Sequence, residues 1–179
     1  MLQEGVMATG RIAVIASIFS ICLWVTGCAS NWGGSGIVAG SAAKDLVIYA
    51  NQGILNIAEL ERKSLERYAS VIGENYTTDQ KVYEELRDFV MPVYKRFLDG
   101  LRKIMPENQE IKAVHAVYIQ AAELMYDGFR TKMLGIENDS EDIIIQGNEK
   151  IERGRDEATR WRLELLELYK KHGVAEIKE

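Results

Sequence analysis

A chain of 179 residues with 47% hydrophobic, 27% charged and 8% aromatic side chains holds one ordinary globular core, with no room for a second large domain. Its 22 basic and 27 acidic residues leave a net charge of −5, which argues against a nucleic-acid footprint. Two cysteines cannot build a disulfide framework, and two histidines cannot supply a metal-rich site.

The most apolar stretch comes first. Residues 12–25 (IAVIASIFSICLWV) are apolar or small throughout. A spanning helix needs about twenty such residues, so the run fits the hydrophobic region of a secretory signal, with Arg11 as its basic flank. Glu4 sits awkwardly in that flank, and initiation at Met7 would remove it.

The apolar run passes directly into Val25-Thr26-Gly27-Cys28. This tetrapeptide resembles the lipobox of bacterial lipoproteins, in which an aliphatic residue and two small residues precede a cysteine. The resemblance covers residues 7–28 only, and it carries Val25 where leucine is commoner. It implies that a signal peptidase recognises Val25, Thr26 and Gly27 and removes residues 1–27. It also implies that the Cys28 thiol receives a diacylglyceryl group and further acylation. The mature chain, residues 28–179, keeps the charge of −5 because Glu4 and Arg11 leave together. Cys22 leaves with the signal, so no free thiol remains. Each buried methylene contributes about 0.8 kcal/mol, and two or three acyl chains exceed what stable anchoring requires. The partner so implied is membrane lipid. Ala29, where an aspartate would signal retention, is similar to lipoproteins sorted to the outer membrane of Gram-negative cells. The expected location is therefore the bacterial cell envelope, at the inner leaflet of the outer membrane for a Gram-negative source.

Residues 28–42 read as a Gly/Ser-rich tether (SNWGGSGIVAGS over 30–41) with a reach of roughly 20 Å. Trp32 is placed to meet the lipid interface.

Residues 43–179 read as four helices. In the first, about 43–72, Leu46, Ala50, Ile54, Ile57, Leu65, Tyr68 and Ile72 recur at helical spacing, and Gly73-Glu74-Asn75-Tyr76 ends it. The second, 77–104, opens on Thr77 and Gln80 at capping-box spacing. Pro92 in its middle should kink it, and Met105-Pro106 ends it. The third, 107–136, carries Ile111, Val114, Tyr118, Ala121, Met125, Phe129 and Met133, and Asn138-Asp139-Ser140 supplies a break and a choice of N-caps. The fourth, 140–172, places Ile144, Gly147, Ile151, Gly154, Ala158, Trp161, Leu165 and Leu168 on a heptad seam. Lys170 and Lys171 suit its C-terminal dipole, and His172-Gly173 closes it. Glu149/Arg153 and Asp156/Arg160 are expected to pair along its outer face.

No stretch alternates with period two, so the fold class is all-α. Short breaks between helices of this length imply an antiparallel up-down-up-down four-helix bundle. A long helical hairpin that dimerises would show the same pattern, which leaves the oligomeric state open.

Every helix carries an internal glycine (Gly53, Gly100, Gly128, Gly147 and Gly154), each costing about 1 kcal/mol against alanine. Folding the last two helices about residue 138 sets Gly128 opposite Gly147, and Ala121 and Ala122 opposite Gly154, a small-residue ladder for close approach. The same counting brings Gly53, Phe97, His115 and Trp161 to one level, with Asn51, Gln52, Tyr94 and Tyr118 within a turn. Asn51, Gly53, Phe97, His115, Tyr118 and Trp161 are thus the candidate lining of a small-ligand pocket. The plainer expectation for the same residues is aromatic packing around a core histidine.

Catalytic chemistry finds no foothold in the motifs. Di-metal bundles need paired Glu-x-x-His motifs, whereas Glu110 and His115 are five apart and have no second set. Cys-x-x-Cys-His, a Gly-x-Ser-x-Gly elbow, a phosphate-cradling glycine loop and zinc spacings are all missing. Haem held by His115 would need Met91, Met125 or Met133 beside it. No catalytic residue, metal or cofactor is expected beyond the lipid on Cys28. The function expected is a non-enzymatic helical module that binds or spaces an envelope protein. The alternative is a small-ligand or lipid-binding bundle with its site near His115 and Trp161.

Overall fold

A computed structural model describes residues 41–174. The signal region, the Cys28 lipobox and most of the tether lie outside the described residues. Within them the chain is 86% helical and has no strand, which makes the fold all-α.

Four long helical segments account for the described residues. The first, α1, spans 41–69 and consists of Ser41–Ile48, a π-helical turn Tyr49–Ile54, and Leu55–Ala69. A 3-10 turn, Gly73–Asn75, follows. The second, α2, spans 79–101 as Asp79–Glu85, a π turn Leu86–Val90, and Met91–Leu101. The third, α3, is Gln109–Glu137, and the fourth, α4, is Glu141–Lys171. These four match the expected segments to within about three residues at each end, the usual scatter of helix boundaries.

The departures have local causes. Thr78, not Thr77, is the N-cap of α2: it has extended backbone angles and its Oγ1 accepts from the Lys81 N–H at 3.2 Å. The reciprocal arm of a capping box is lost, because the residue three positions on is Lys81, and Gln80 instead donates to Glu84. Asn108 caps α3 through its Oδ1, which accepts from the Glu110 and Ile111 N–H groups. Ser140 precedes α4 but makes no side-chain cap. The disruption expected at Pro92 takes the form of the π turn just before it, where the Met91 N–H bonds back five residues to the Leu86 carbonyl. A proline removes one backbone donor and crowds the carbonyl a turn back, and a π turn shifts the bonding register around it.

Gly73 (φ 60°) and Gly173 (φ 66°) end α1 and α4 in the left-handed region, where a side chain would be strained. After Gly173 the Val174 N–H reaches the Tyr169 carbonyl at 2.9 Å, closing the helix end.

Packing partners follow the small residues. A methyl group added to Gly128 would meet the Ile151 backbone N at 2.8 Å and the Gly147 carbonyl at 2.9 Å. One on Gly147 would meet the Lys132 backbone N at 2.6 Å, and one on Gly154 would collide with the Met125 side chain and the Ala121 carbonyl. The ladder expected between α3 and α4 is therefore present, and Gly135 extends it against the backbone of Ile143 and Ile144. Successive positions along α3 meet successively earlier positions on α4. The same reversed order joins α1 to α2: Gly53 faces Ile104, Gly100 faces Ile57, and the buried Ser64 hydroxyl donates to the Val90 carbonyl at 2.9 Å.

Neither expected charge pair on α4 forms. Arg155 pairs with Glu152 at 2.5 Å, and Arg160 pairs with Glu157 at 2.9 Å and Glu164 at 3.4 Å. Positions three and four apart are equally near on a helix, and on an exposed face the choice is worth only a few tenths of a kcal/mol.

Candidate functional site: an aromatic layer and its buried carboxyl

Most of the site residues expected from the sequence meet in the core, and α1 adds two partners. Rings stack edge to face in series from Tyr68 to Phe129 (4.9 Å between centroids), then Tyr94 (5.4 Å), Phe97 (5.3 Å) and Tyr118 (5.7 Å). The series ends with the Trp161 indole lying flat on Tyr118, 3.8 Å away and 10° from parallel. Such rings prefer edge-to-face or offset contacts because the electron-rich face attracts the positive edge.

Polar atoms at this end are bonded to one another. The Trp161 Nε1–H donates to the Tyr49 hydroxyl at 3.3 Å, and that hydroxyl lies 3.1 Å from His115 Nδ1. Burial pushes the Tyr49 phenol above its ordinary range, only partly offset by Trp161, so it keeps its proton. With the phenol donating to Nδ1, the imidazole proton belongs on Nε2, a tautomer assigned from the bonding pattern. Burial lowers the His115 pKa and favours the neutral ring, opposed by the nearby carbonyls of Leu101 and Ile104.

Tyr118 is 3% exposed and its hydroxyl donates to Glu61 Oε2 at 2.6 Å. Removal from water raises the Glu61 carboxyl to about 7, and the Tyr118 hydrogen bond works in the opposite direction. Nearby, the hydroxyl of the fully buried Tyr94 has no hydrogen-bond partner among the described residues. His115 Nε2 and Asn51 Oδ1 are likewise buried without one.

Phe97, His115, Tyr118 and Trp161 thus come together as expected. Gly53 does not face them: a methyl group there would meet only the Ile104 side chain, at 3.2 Å or more. Tyr49 and Glu61 were not anticipated. Glu61 had a signal, since it falls in the apolar series Ile54, Ile57, Glu61, Ser64, Tyr68 with helical steps of three and four. A carboxylate in such a stripe needs a buried donor. Tyr49 had a signal too, since it lies three residues after Leu46 and next to Ala50 on the same helical stripe.

A second feature lies beside the layer, at the α2–α3 turn. An open groove of about 530 Å³ runs between residues 102–107 and α3. Ile104, Met105, Pro106 and Ile119 line it together with the charged Arg102, Glu107 and Lys112 and with His115. Met105 is 83% exposed.

Among the described residues no group of three or more His, Cys, Asp or Glu side chains could hold a metal ion, and no helix is long and apolar enough to cross a membrane. Comparison with protein-family models, with curated proteins and with solved structures finds no match to this chain.

Proposed function

We propose that this protein is a lipid-anchored helical module of the bacterial envelope, held in the membrane through Cys28, that acts by binding another envelope protein rather than by catalysis. The observation that carries the reading is Val25-Thr26-Gly27-Cys28 placed directly after the apolar run 12–25. On this reading residues 28–42 are the tether, and the inner leaflet of the outer membrane is the favoured location in a Gram-negative cell. The four helices run up-down-up-down as one bundle. Support comes from the reversed order of contacts between α1 and α2 and between α3 and α4, and from Tyr49 and Tyr118, which tie α1 to α3 and α4.

A non-catalytic role is supported by how the titratable groups of the aromatic layer are used. Tyr49, His115 and Trp161 bond to each other, and Tyr118 bonds to Glu61 beneath a stacked indole. The experiment is fatty-acid labelling of cells expressing the full chain. Label should enter the native protein and not Cys28→Ser, and an unlabelled native protein overturns the reading. Crosslinking in intact cells should then capture a defined partner with the native chain and lose it with Cys28→Ser.

A second reading, a small-ligand or lipid-binding bundle, is favoured by three buried polar atoms without partners: Asn51 Oδ1, Tyr94 Oη and His115 Nε2. Native mass spectrometry of the protein purified from its host would reveal such a ligand as a bound mass that Trp161→Ala removes. The bare mass alone would dismiss it.

A further inference from the structure

We propose that the end of the helical body where the tether enters lies against the bilayer and engages anionic phospholipid headgroups, with the 102–108 turn and its groove as the contact surface. This rests on the anchor at Cys28 proposed above.

Three segments meet at that end. Gly53 facing Ile104 and Gly100 facing Ile57 put residues 53–57 of α1 beside the end of α2 and the α2–α3 turn, with the earlier part of α1 running on past that turn. The Glu110 carboxylate, bonded to His172 at 2.7 Å and to Lys171 at 2.5 Å, brings the end of α4 to the same place. The 102–108 turn and residues 172–174 therefore share one end, and it is at this end that α1 runs back to Ser41, where the tether joins the body. The loops at 70–78 and 138–140 lie at the other.

The two ends differ in charge. Segments 41–48, 100–112 and 165–174 carry Lys44, Arg102, Lys103, Lys112, Lys170 and Lys171 against Asp45, Glu107, Glu110 and Glu167. Segments 70–90 and 134–145 carry nine acidic residues against Lys81 and Arg87. The segments at the tethered end thus carry a small positive excess and those at the far end a large negative one, so a negatively charged leaflet would repel the far end and favour the tethered one. Arg102 is paired with Glu123 at 2.7 Å, whereas Lys103 and Lys112 make none of the ion pairs among the described residues.

The turn also has the apolar component that interfacial contact requires. Met105 is the most exposed large hydrophobic side chain among the described residues, at 83%, and Ile104 and Pro106 flank it. Arg102 and Lys112 in the groove lining, against the single acidic Glu107, suit phosphate, and its apolar side chains suit the first methylenes of an acyl chain. Residues 29–40 separate Cys28 from Ser41, at most about 45 Å extended and roughly 20 Å on average. A tether that short holds the tip at high effective concentration over the surface, so weak individual contacts suffice.

The test uses the full chain purified in its lipidated form and reconstituted into vesicles of phosphatidylcholine, alone or mixed with phosphatidylglycerol. A fluorophore is attached at Met105→Cys or, at the far end, at Tyr76→Cys, and the vesicles carry a headgroup nitroxide quencher. Quenching at 105 should be at least about two-fold stronger with anionic lipid, and should vanish in about 1 M salt, where the screening length is about 3 Å. The probe at 76 should stay bright throughout. Lys103→Glu combined with Lys112→Glu should abolish the anionic-lipid effect while the protein still floats with the vesicles. A chain that floats but shows equal quenching at 105 and 76, or no response to anionic lipid, overturns the docking and leaves the anchor standing. A chain that carries no acyl group and does not float overturns both.

Discussion

Glu61 and Tyr118 set the chemistry of the core at the level of single residues. The Glu61 carboxyl binds its proton more tightly in the folded protein (about 7) than in the unfolded chain (4.5). For an acid with a raised folded pKa, the folded state holds more protons than the unfolded one between those values, so stability falls as pH rises through that window. The loss is on the order of 3 kcal/mol between about pH 4.5 and about pH 7. Glu61→Gln should flatten that dependence and exceed the native protein in stability above about pH 7, as read by urea unfolding across the pH range. The two buried tyrosines should behave oppositely. Tyr94→Phe removes a hydroxyl that has no partner, and should be neutral or stabilising by up to about 1 kcal/mol. Tyr118→Phe strips Glu61 of its donor, and should cost about 1–2 kcal/mol at neutral pH while raising the carboxyl pKa further. Equal effects from the two would disprove this account of the layer.

Glycine matters at the scale of the helix pair, and only where it faces backbone. At Gly147 an alanine methyl would lie 2.6 Å from the Lys132 backbone N and 2.8 Å from its Cα, so α3 and α4 would have to separate. Gly147→Ala should therefore lower stability by about 2–3 kcal/mol despite the better helix propensity of alanine. At Gly53 the neighbour is an isoleucine side chain no nearer than 3.2 Å, with no backbone in the way, and Gly53→Ala should change stability by less than about 1 kcal/mol in either direction. Thermal unfolding of the two variants side by side makes the comparison. The cap of α2 gives a sharper case. Thr78→Ala should cost about 1 kcal/mol and Thr77→Ala almost nothing, because only Thr78 accepts from a helix N–H.

For the molecule as a whole, anchor and fold are predicted to be separable. Cys28→Ser should abolish acylation with the helical circular dichroism unchanged, because position 28 lies outside the described helices, the first of which begins at Ser41. A helical signal that collapses along with the anchor would contradict this.

Much of this architecture can be read without coordinates. Four helical segments, their breaks at Gly73, Met105-Pro106 and Asn138-Asp139, and the Gly128–Gly147 ladder all follow from the 3.6-residue period and from residues that cannot continue a helix. Those signals are local, and a two-residue error in a boundary leaves them intact. Which polar atoms meet is not local. One residue of register moves a side chain by about 1.5 Å along a helix and about 100° around it, enough to replace one partner with another. The sequence by itself therefore determined the helical class, the segment order and the resemblance to a lipid-anchored chain. Only the tertiary structure decided that Tyr118 donates to Glu61, that Tyr49 lies between Trp161 and His115, and that π turns occupy Tyr49–Ile54 and Leu86–Val90. Each of those depends on how far one helix slides and turns against another, a quantity that no single segment contains.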